Sequence, residues 1–288
     1  MMTGTIDLKN ISNVVVTGKS GAGKQPRIDV LVEEFDLKQL STGNIFRHYL
    51  GLYNSLNYSK PLDEFWSEDK KDFIEENDIR EKLERYLDDN NMGAECGAPG
   101  EDEEAFPKIN DLILGMKAKY YVEKGVFVPD GLVNDLLKAS FADNNYENTV
   151  LDGYPRTINQ AEYLLRIMNE VNRKIDLVLV VENEDDLIIS RTMGRRICPS
   201  CSKVYHTEFK PPNEDGTCKA CGADVILRSD DSEEKSRSRL NEFQVKCVPA
   251  IEYLEQQEIP VAHVNGNLEV FTKENVKQSV MDSITPSL

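Results

Sequence analysis

The chain has 288 residues, 40% of them hydrophobic and 30% charged, the composition of a globular protein with room for one large domain or two to three small ones. A net charge of −17 argues against general nucleic-acid binding. No apolar run reaches the roughly 18 residues of a membrane span, and the opening MMTGTIDLKN has neither the basic start nor the apolar stretch of a secretory signal, so a cytoplasmic address is expected.

In chain order, NVVVT (13–17) reads as a short buried strand, and Ile28, Leu31, Val32 and Phe35 then carry helical spacing over 25–35. DLKQLSTG (36–43) reads as a second strand ending at a glycine turn. Between Lys60 and Glu104 stand 17 acids and 6 bases, so −11 of the charge sits in one segment. Within it, Phe65, Trp66, Phe73 and Ile74, then Leu83, Tyr86 and Leu87, suggest two amphipathic helices. The Gly-, Pro- and acid-rich MGAECGAPGEDEEAFP that follows reads as a tether. This insertion is expected to be a solvated acidic decoration. The sharper alternative is a subunit contact through Trp66, Phe65 and Phe73 on one helical face.

From residue 112 the order is regular: a helix, a second helix after Pro129-Asp130, a strand at 149–153, a helix, a strand at 177–181 and another helix. A cysteine segment spans 195–231, a long polar helix 232–256, a strand 260–264, and a final helix closes the chain. Strands alternating with helices predict a parallel sheet covered on both faces.

Gly18, Gly23 and Lys24 match G-x-x-x-x-G-K, with Gly21 inside the loop, placed between a strand and a helix. Glycines let backbone N–H groups approach phosphate oxygens, and the helix N-terminus adds favourable partial charge. Cys198, Cys201, Cys218 and Cys221 form two C-x2-C pairs 16 residues apart. Four thiolates make a closed tetrahedral site, which points to a structural metal, with zinc as the first reading and iron or disulfides as the alternatives. Cys96 and Cys247 read as ordinary thiols. Arg47, Arg156, Arg191, Arg195, Arg196, Arg228 and Arg239 stand near element boundaries. Guanidinium forks match phosphate oxygens, so these residues gain meaning if they converge on Lys24.

Taken together and in order, GKSGAGK (18–24), LSTGNIFR (40–47), EKGVFVPDGLV (123–133), LDGYPRTINQA (151–161), RTMGRRICPSC (191–201), VYHTEFKPP (204–212), CKAC (218–221) and RSDDSEEKSRSRL (228–240) resemble the adenylate kinase family, in its long-lid form with a zinc knuckle. The resemblance implies a P-loop nucleoside monophosphate kinase fold, with a five-stranded parallel sheet flanked by helices. It implies a core of 11–41, 129–190 and 232–288, a nucleoside-monophosphate-binding region at 42–128 holding the insertion (about 50–110), and a zinc-binding lid at 191–231. The implied reaction is reversible phosphoryl transfer from Mg-ATP to AMP.

By the same resemblance, Lys24 accompanies the moving phosphoryl group, and Arg156, Arg195, Arg228 and Arg239 neutralise it. Lys19, Ser20, Gly21, Ala22, Gly23, Arg191, Val204, Tyr205 and Leu268 belong to the ATP site, with Phe209 near the adenine. Thr42, Arg47, Val126, Phe127, Val128, Gly153, Tyr154, Pro155, Arg156 and Gln160, with Arg228 and Arg239, belong to the AMP site. Gln160 offers a donor and an acceptor to an adenine edge. Asp152 orders magnesium-bound water, and Asp230 and Asp231 resemble lid-hinge acids. A monomer without nucleic-acid or membrane partners is implied.

Three positions depart from the pattern. Gln25 and Pro26 stand where Gly-Thr is usual, removing a hydroxyl and one N–H. Proline is tolerated in a first helical turn, so the loop is still expected to bind phosphate, with Gln25 as a substitute donor. Asn44 replaces an expected aspartate near the magnesium waters. The rivals are a GTP-dependent or broad-specificity kinase, and a non-catalytic nucleotide-binding regulator motivated by Gln25, Pro26 and Asn44.

Overall fold

The computed structural model describes residues 11–90, 92, 108–201, 203–208, 210–227 and 232–285. In chain order the first elements are β1 (Asn13–Thr17), α1 (Lys24–Phe35), β2 (Lys38–Ser41) and α2 (Thr42–Ser55). A 3-10 turn (Leu62–Phe65) leads to β3 (Trp66–Ser67), β4 (Asp72–Phe73), α3 (Glu76–Asp89), α4 (Ile109–Lys124) and α5 (Asp130–Ala142). Next come β5 (Thr149–Asp152), α6 (Ile158–Glu170), β6 (Leu177–Glu182), α7 (Asp185–Gly194), β7 (Arg195–Ile197) and β8 (Val204–His206). The chain closes with α8 (Glu233–Glu242), a π-helical turn (Phe243–Cys247), α9 (Val248–Gln256), β9 (Val261–Asn265) and α10 (Lys273–Ile284).

Two compact units result: one from residues up to Gln39 and from Tyr146 onward, the other from Leu40–Asn145. The first holds a five-stranded parallel sheet in the order β2-β5-β1-β6-β9, flanked by helices. Its central strand β1 pairs with β5 (Val14↔Val150) on one side and with β6 (Val15↔Val178) on the other. Both faces of β1 are covered, which is why NVVVT is apolar without alternation: Val14, Val15 and Val16 have no exposed surface. On one face the core joins Val14 and Val16 to Ile28, Leu31, Leu179, Val264 and Val280. This packing fixes the carboxyl end of the sheet, where the loops after β1, β5, β6 and β9 emerge.

The long polar helix expected over 232–256 contains Pro249, which cannot donate to the carbonyl four residues back and crowds it. The chain answers with the π turn at Phe243–Cys247 before resuming as α9. The strand expected at 36–43 is shorter: Thr42 and Gly43 open α2 instead of forming a turn.

The second unit corrects the reading of the insertion. Phe65, Trp66, Phe73 and Ile74 do not share a helix. Pro61 starts the 3-10 turn, and Trp66 then pairs with Phe73 across the β3–β4 hairpin. A spacing of seven to eight residues suits a helix face, but it equally suits two strands joined by the charged turn SEDKK, whose Lys71 takes a left-handed φ of 51°. The aromatic rings face their own chain. Trp66 stacks on Tyr120 at 4.8 Å, and Phe73 sits edge-on to Tyr120 and Tyr121. Phe65 is wholly buried with Ile79, Leu83 and Leu112. Phe65, Trp66 and Phe73 therefore do not share the one helical face expected of a subunit contact, Trp66 and Phe73 being half-buried, and α3 is the one helix of the expected pair among the described residues. Cys96 and most of the acidic tether, 93–107, lie outside the described residues.

Phe65→Ala is expected to cost about 3–5 kcal/mol, as for a fully buried phenyl ring, read by urea unfolding followed through the fluorescence of Trp66, the single tryptophan. A loss below about 1 kcal/mol contradicts this packing.

Candidate functional site

The loop between β1 and α1 is built on glycine for a steric reason. Gly18 has φ 141°, and a Cβ there would lie 2.4 Å from the Val181 carbonyl oxygen. Gly23 takes a left-handed conformation as the N-cap of α1. The loop therefore lies flat against β6, and the first turn of α1 points its unpaired N–H groups into the cleft. Lys24 is folded back onto this loop: its Nζ donates to the carbonyls of Gly18 (2.9 Å) and Lys19 (3.2 Å). Burial holds its ammonium below the ordinary lysine range; Asp152 opposes that shift, while Arg156 reinforces it. Lys19 pairs with Asp185 at the start of α7, at 2.5 Å.

Pro26 stands in the first turn of α1, where its missing N–H breaks no helical bond but removes one donor from the cleft. Gln25 does not turn toward the loop. Its amide nitrogen donates to Asp29 and to Gln39, both at 2.9 Å. Gln39 in turn donates to Asp152 Oδ2 at 3.0 Å. The residue that breaks the motif is thus the outer end of a chain of amides that orients the Asp152 carboxylate.

After β5 the chain runs Gly153-Tyr154-Pro155-Arg156, with a cis Tyr154–Pro155 bond. Arg156 Nε donates to the Gly153 carbonyl at 2.8 Å, and its N–H donates to Gln160 Oε1 at 2.8 Å. Tyr154 closes the loop by donating to the Gln160 carbonyl. Arg156 is exposed and Gln160 is buried, so the loop presents a guanidinium on a fixed base.

A cleft of about 430 Å³ opens beside the glycine loop, with Gly21, Gln25 and Pro26 on one wall and Arg191, Arg195 and Lys210 on the other. Val204 and Tyr205 also line it, whereas Leu268 packs against the core. Arg239 lies on α8. Arg228, Asp230, Asp231 and Phe209 lie outside the described residues. In the second unit, Thr42 opens α2, and Arg47 donates to Asn44 one turn earlier, so the unexpected asparagine partners an expected arginine. Val126 and Phe127, which follow α4, are exposed, at 55% and 81%, with Val128 beside them half-buried.

The four cysteine Sγ atoms lie within 4.8 Å of one another. Cys198 and Cys221 approach to 3.4 Å, and Cys201 and Cys218 to 3.5 Å. A disulfide needs about 2.05 Å. Four sulfurs around a zinc at about 2.3 Å stand a little under 4 Å apart. The Tyr205 hydroxyl, 3.1 Å from Cys218 Sγ, holds that thiol below its ordinary range, toward the thiolate a metal requires. The Ala220 N–H also reaches the same sulfur. The donor set fits a structural metal, and the hairpin of β7 and β8 carries half of it.

Sequence reasoning missed Gln39, Lys210 and Arg27. Gln39 and Lys210 carry no spacing signal. Arg27 carried one: it is a cation on the apolar stripe of α1, next to Ile28 and four residues before Leu31.

These features define a nucleotide-binding protein with a phosphate loop at the carboxyl end of a parallel sheet and a four-cysteine cluster fit for a metal. The family model described as Adenylate kinase matches residues 109–259, just over half of the chain. The adenylate kinase of Caldicellulosiruptor bescii is 38% identical over 170 residues, covering 58% of this chain and 79% of the relative. That of Caldicellulosiruptor saccharolyticus is 40% identical over 171 residues, with the same coverage. That of Clostridium kluyveri is 29% identical over 258 residues, covering 89% and 92%. The chain belongs to the adenylate kinase family, and it is a phosphotransferase.

Because the Lys24 ammonium is held below its usual 10.5, the native state binds fewer protons than the unfolded chain in the window just below that value. Stability therefore rises with pH there. Thermal unfolding of wild type and Lys24→Met should show wild type gaining on the variant as pH rises from about 8 to about 10. A difference constant over that range contradicts a buried, charged Lys24.

Proposed function

We propose that this chain transfers the terminal phosphoryl group of Mg-ATP to AMP, reversibly, giving two ADP. An oxygen of the AMP phosphate bonds to the γ-phosphorus as the bond from that phosphorus to the β–γ bridging oxygen breaks. Such a transfer needs positioned reactants and neutralised charge more than covalent help. The observation that carries the reading is Lys24, desolvated on the glycine loop between Asp152 and Arg156. Triphosphate oxygens replace the loop carbonyls as its partners, and the ammonium then follows the charge that moves.

On this reading Arg156, Arg195, Arg228 and Arg239 gather on the transferring group. Arg191, with the backbone at Val204 and Tyr205 and with Leu268, holds the donor base. Thr42, Arg47, Val126–Val128 and Gln160 hold AMP. The core is 11–41, 129–190 and 232–288. The lid, 191–231, and the AMP-binding region, 42–128, close over it and exclude water, which suppresses ATP hydrolysis and strengthens each guanidinium–phosphate contact. A magnesium ion bound with the nucleotide would supply charge neutralisation. Asp152, oriented by Gln39, would order the waters of that ion. Cys198, Cys201, Cys218 and Cys221 would hold a zinc ion that ties the lid into one body. Thiolates persist in a reducing compartment, which supports a cytoplasmic address, and no helix of the described residues is long and apolar enough to cross a membrane. The protein acts as a monomer.

Purified protein is offered ATP with AMP, CMP, UMP or GMP in turn, then GTP as donor with each. ADP formed from ATP and AMP is the expected result, and its absence defeats the reading. Arg156→Ala is expected to cut turnover by about 10²–10³-fold or more; near-normal turnover removes it from the site. Replacing Cys198 and Cys201 with serine should release the metal and lower Tm more than turnover. Unchanged melting with lost activity contradicts a structural role.

A further inference from the structure

Arg27 has no exposed surface, yet it carries a full charge. Its Nη1 donates to the Gly23 carbonyl at 3.2 Å and its Nη2 to the Asn265 carbonyl at 2.7 Å. Nε is buried without a hydrogen-bond partner. Phe271 lies under the guanidinium, 5.6 Å from its centre. Among the described residues no carboxylate lies within ion-pair distance of it. A buried cation answered only by carbonyl dipoles is costly, and natural chains rarely keep one for stability alone.

What Arg27 joins gives the cost a reason. Gly23 ends the phosphate loop, and Asn265 ends β9. Between them the two backbones touch: a Cβ on Gly266 would lie 2.0 Å from the Ala22 carbonyl oxygen and 2.7 Å from that of Glu182. The Gly266 N–H donates to the Glu182 carbonyl at 2.6 Å. From the other side Arg191 reaches the Gly266 carbonyl (3.4 Å) and Asn267 Oδ1 (2.6 Å). Two guanidinium groups thus grip one tripeptide, Asn265-Gly266-Asn267, and the Arg191 charge works against that of Arg27. Arg27 loses its solvation, neither gains an acid among the described residues, and both stand beside a loop built to receive a polyanion. Bringing a triphosphate to that loop relieves the repulsion.

We propose that Arg27 is a positioning residue for the nucleoside triphosphate donor: it clamps the loop after β9 onto the phosphate loop and supplies a fixed positive charge beneath it. It selects for the partner with the longer phosphate chain, and it sets affinity for ATP without setting affinity for AMP. It also offsets the donor lost at Pro26 one residue earlier. This rests on the ATP and AMP reading above.

The test is calorimetric titration of Mg-ATP and of AMP, separately, into wild type, Arg27→Met and Arg27→Lys, with Tm measured for each. Calorimetry reads affinity whether or not transfer occurs, so loss of the reaction and loss of this role are separable. Arg27→Met is expected to weaken Mg-ATP about tenfold and AMP less than about twofold. Arg27→Lys keeps the charge but reaches one carbonyl, so about threefold weakening is expected. A lower Tm with Mg-ATP affinity unchanged, or equal weakening of both nucleotides, overturns the proposal. If Arg27→Met does not fold, Arg27→Lys decides: undiminished Mg-ATP affinity there overturns it too.

Discussion

Positive charge at the carboxyl end of the sheet is held on backbone carbonyls. Lys24 rests on Gly18 and Lys19, Arg27 on Gly23 and Asn265, and Arg191 on Gly266 and an amide oxygen of Asn267. Carbonyl dipoles hold a cation in place but do not cancel it. In a chain with a net charge of −17, leaving Arg27 and Arg191 without a carboxylate partner among the described residues, beside a desolvated Lys24, keeps a local field that a phosphate chain completes. The fold serves this arrangement: the buried β1 fixes the loop, and the close approach at Gly266 leaves room for arginine on either side of it.

The same logic orders the less charged parts. Asp152 is the acid that acts on Lys24, and two glutamines, not a cation, set its orientation. An amide chain positions a carboxylate without neutralising it, which suits the proposed role of ordering water around a magnesium ion. The cysteine knuckle uses a different device, where the Tyr205 hydroxyl lowers the Cys218 thiol toward the thiolate that a metal would require. The second unit depends on aromatic stacking more than on charge. Its acidic surface is solvated, while Trp66, Phe73, Tyr120 and Tyr121 hold the hairpin against α4.

Much of this was legible in the sequence. The strands near 13, 149, 177 and 261 were visible as short β-branched runs, and the loop and the cysteines declared themselves by spacing. Phe65 to Ile74 misled because a helix and a short hairpin can share the same spacing of seven to eight. The π turn near Pro249 was visible only as a proline inside a helical pattern. The environment of Gln25 was not readable, since its partners Asp29 and Gln39 are set by how α1 meets β2. Arg27 showed in its spacing as a cation on an apolar stripe, but its meaning lies in Asn265, 238 residues away, and sequence spacing does not report contacts of that range.

The central claim is that cations held on backbone carbonyls around the glycine loop receive a phosphate chain, whatever base it bears. Thermal unfolding of the wild-type chain with added inorganic tripolyphosphate, which has no base or ribose, tests it directly. The account predicts a Tm that climbs with tripolyphosphate concentration by several degrees in about the millimolar range and falls back as salt is raised. A Tm indifferent to tripolyphosphate, in a protein that Mg-ATP does stabilise, contradicts it.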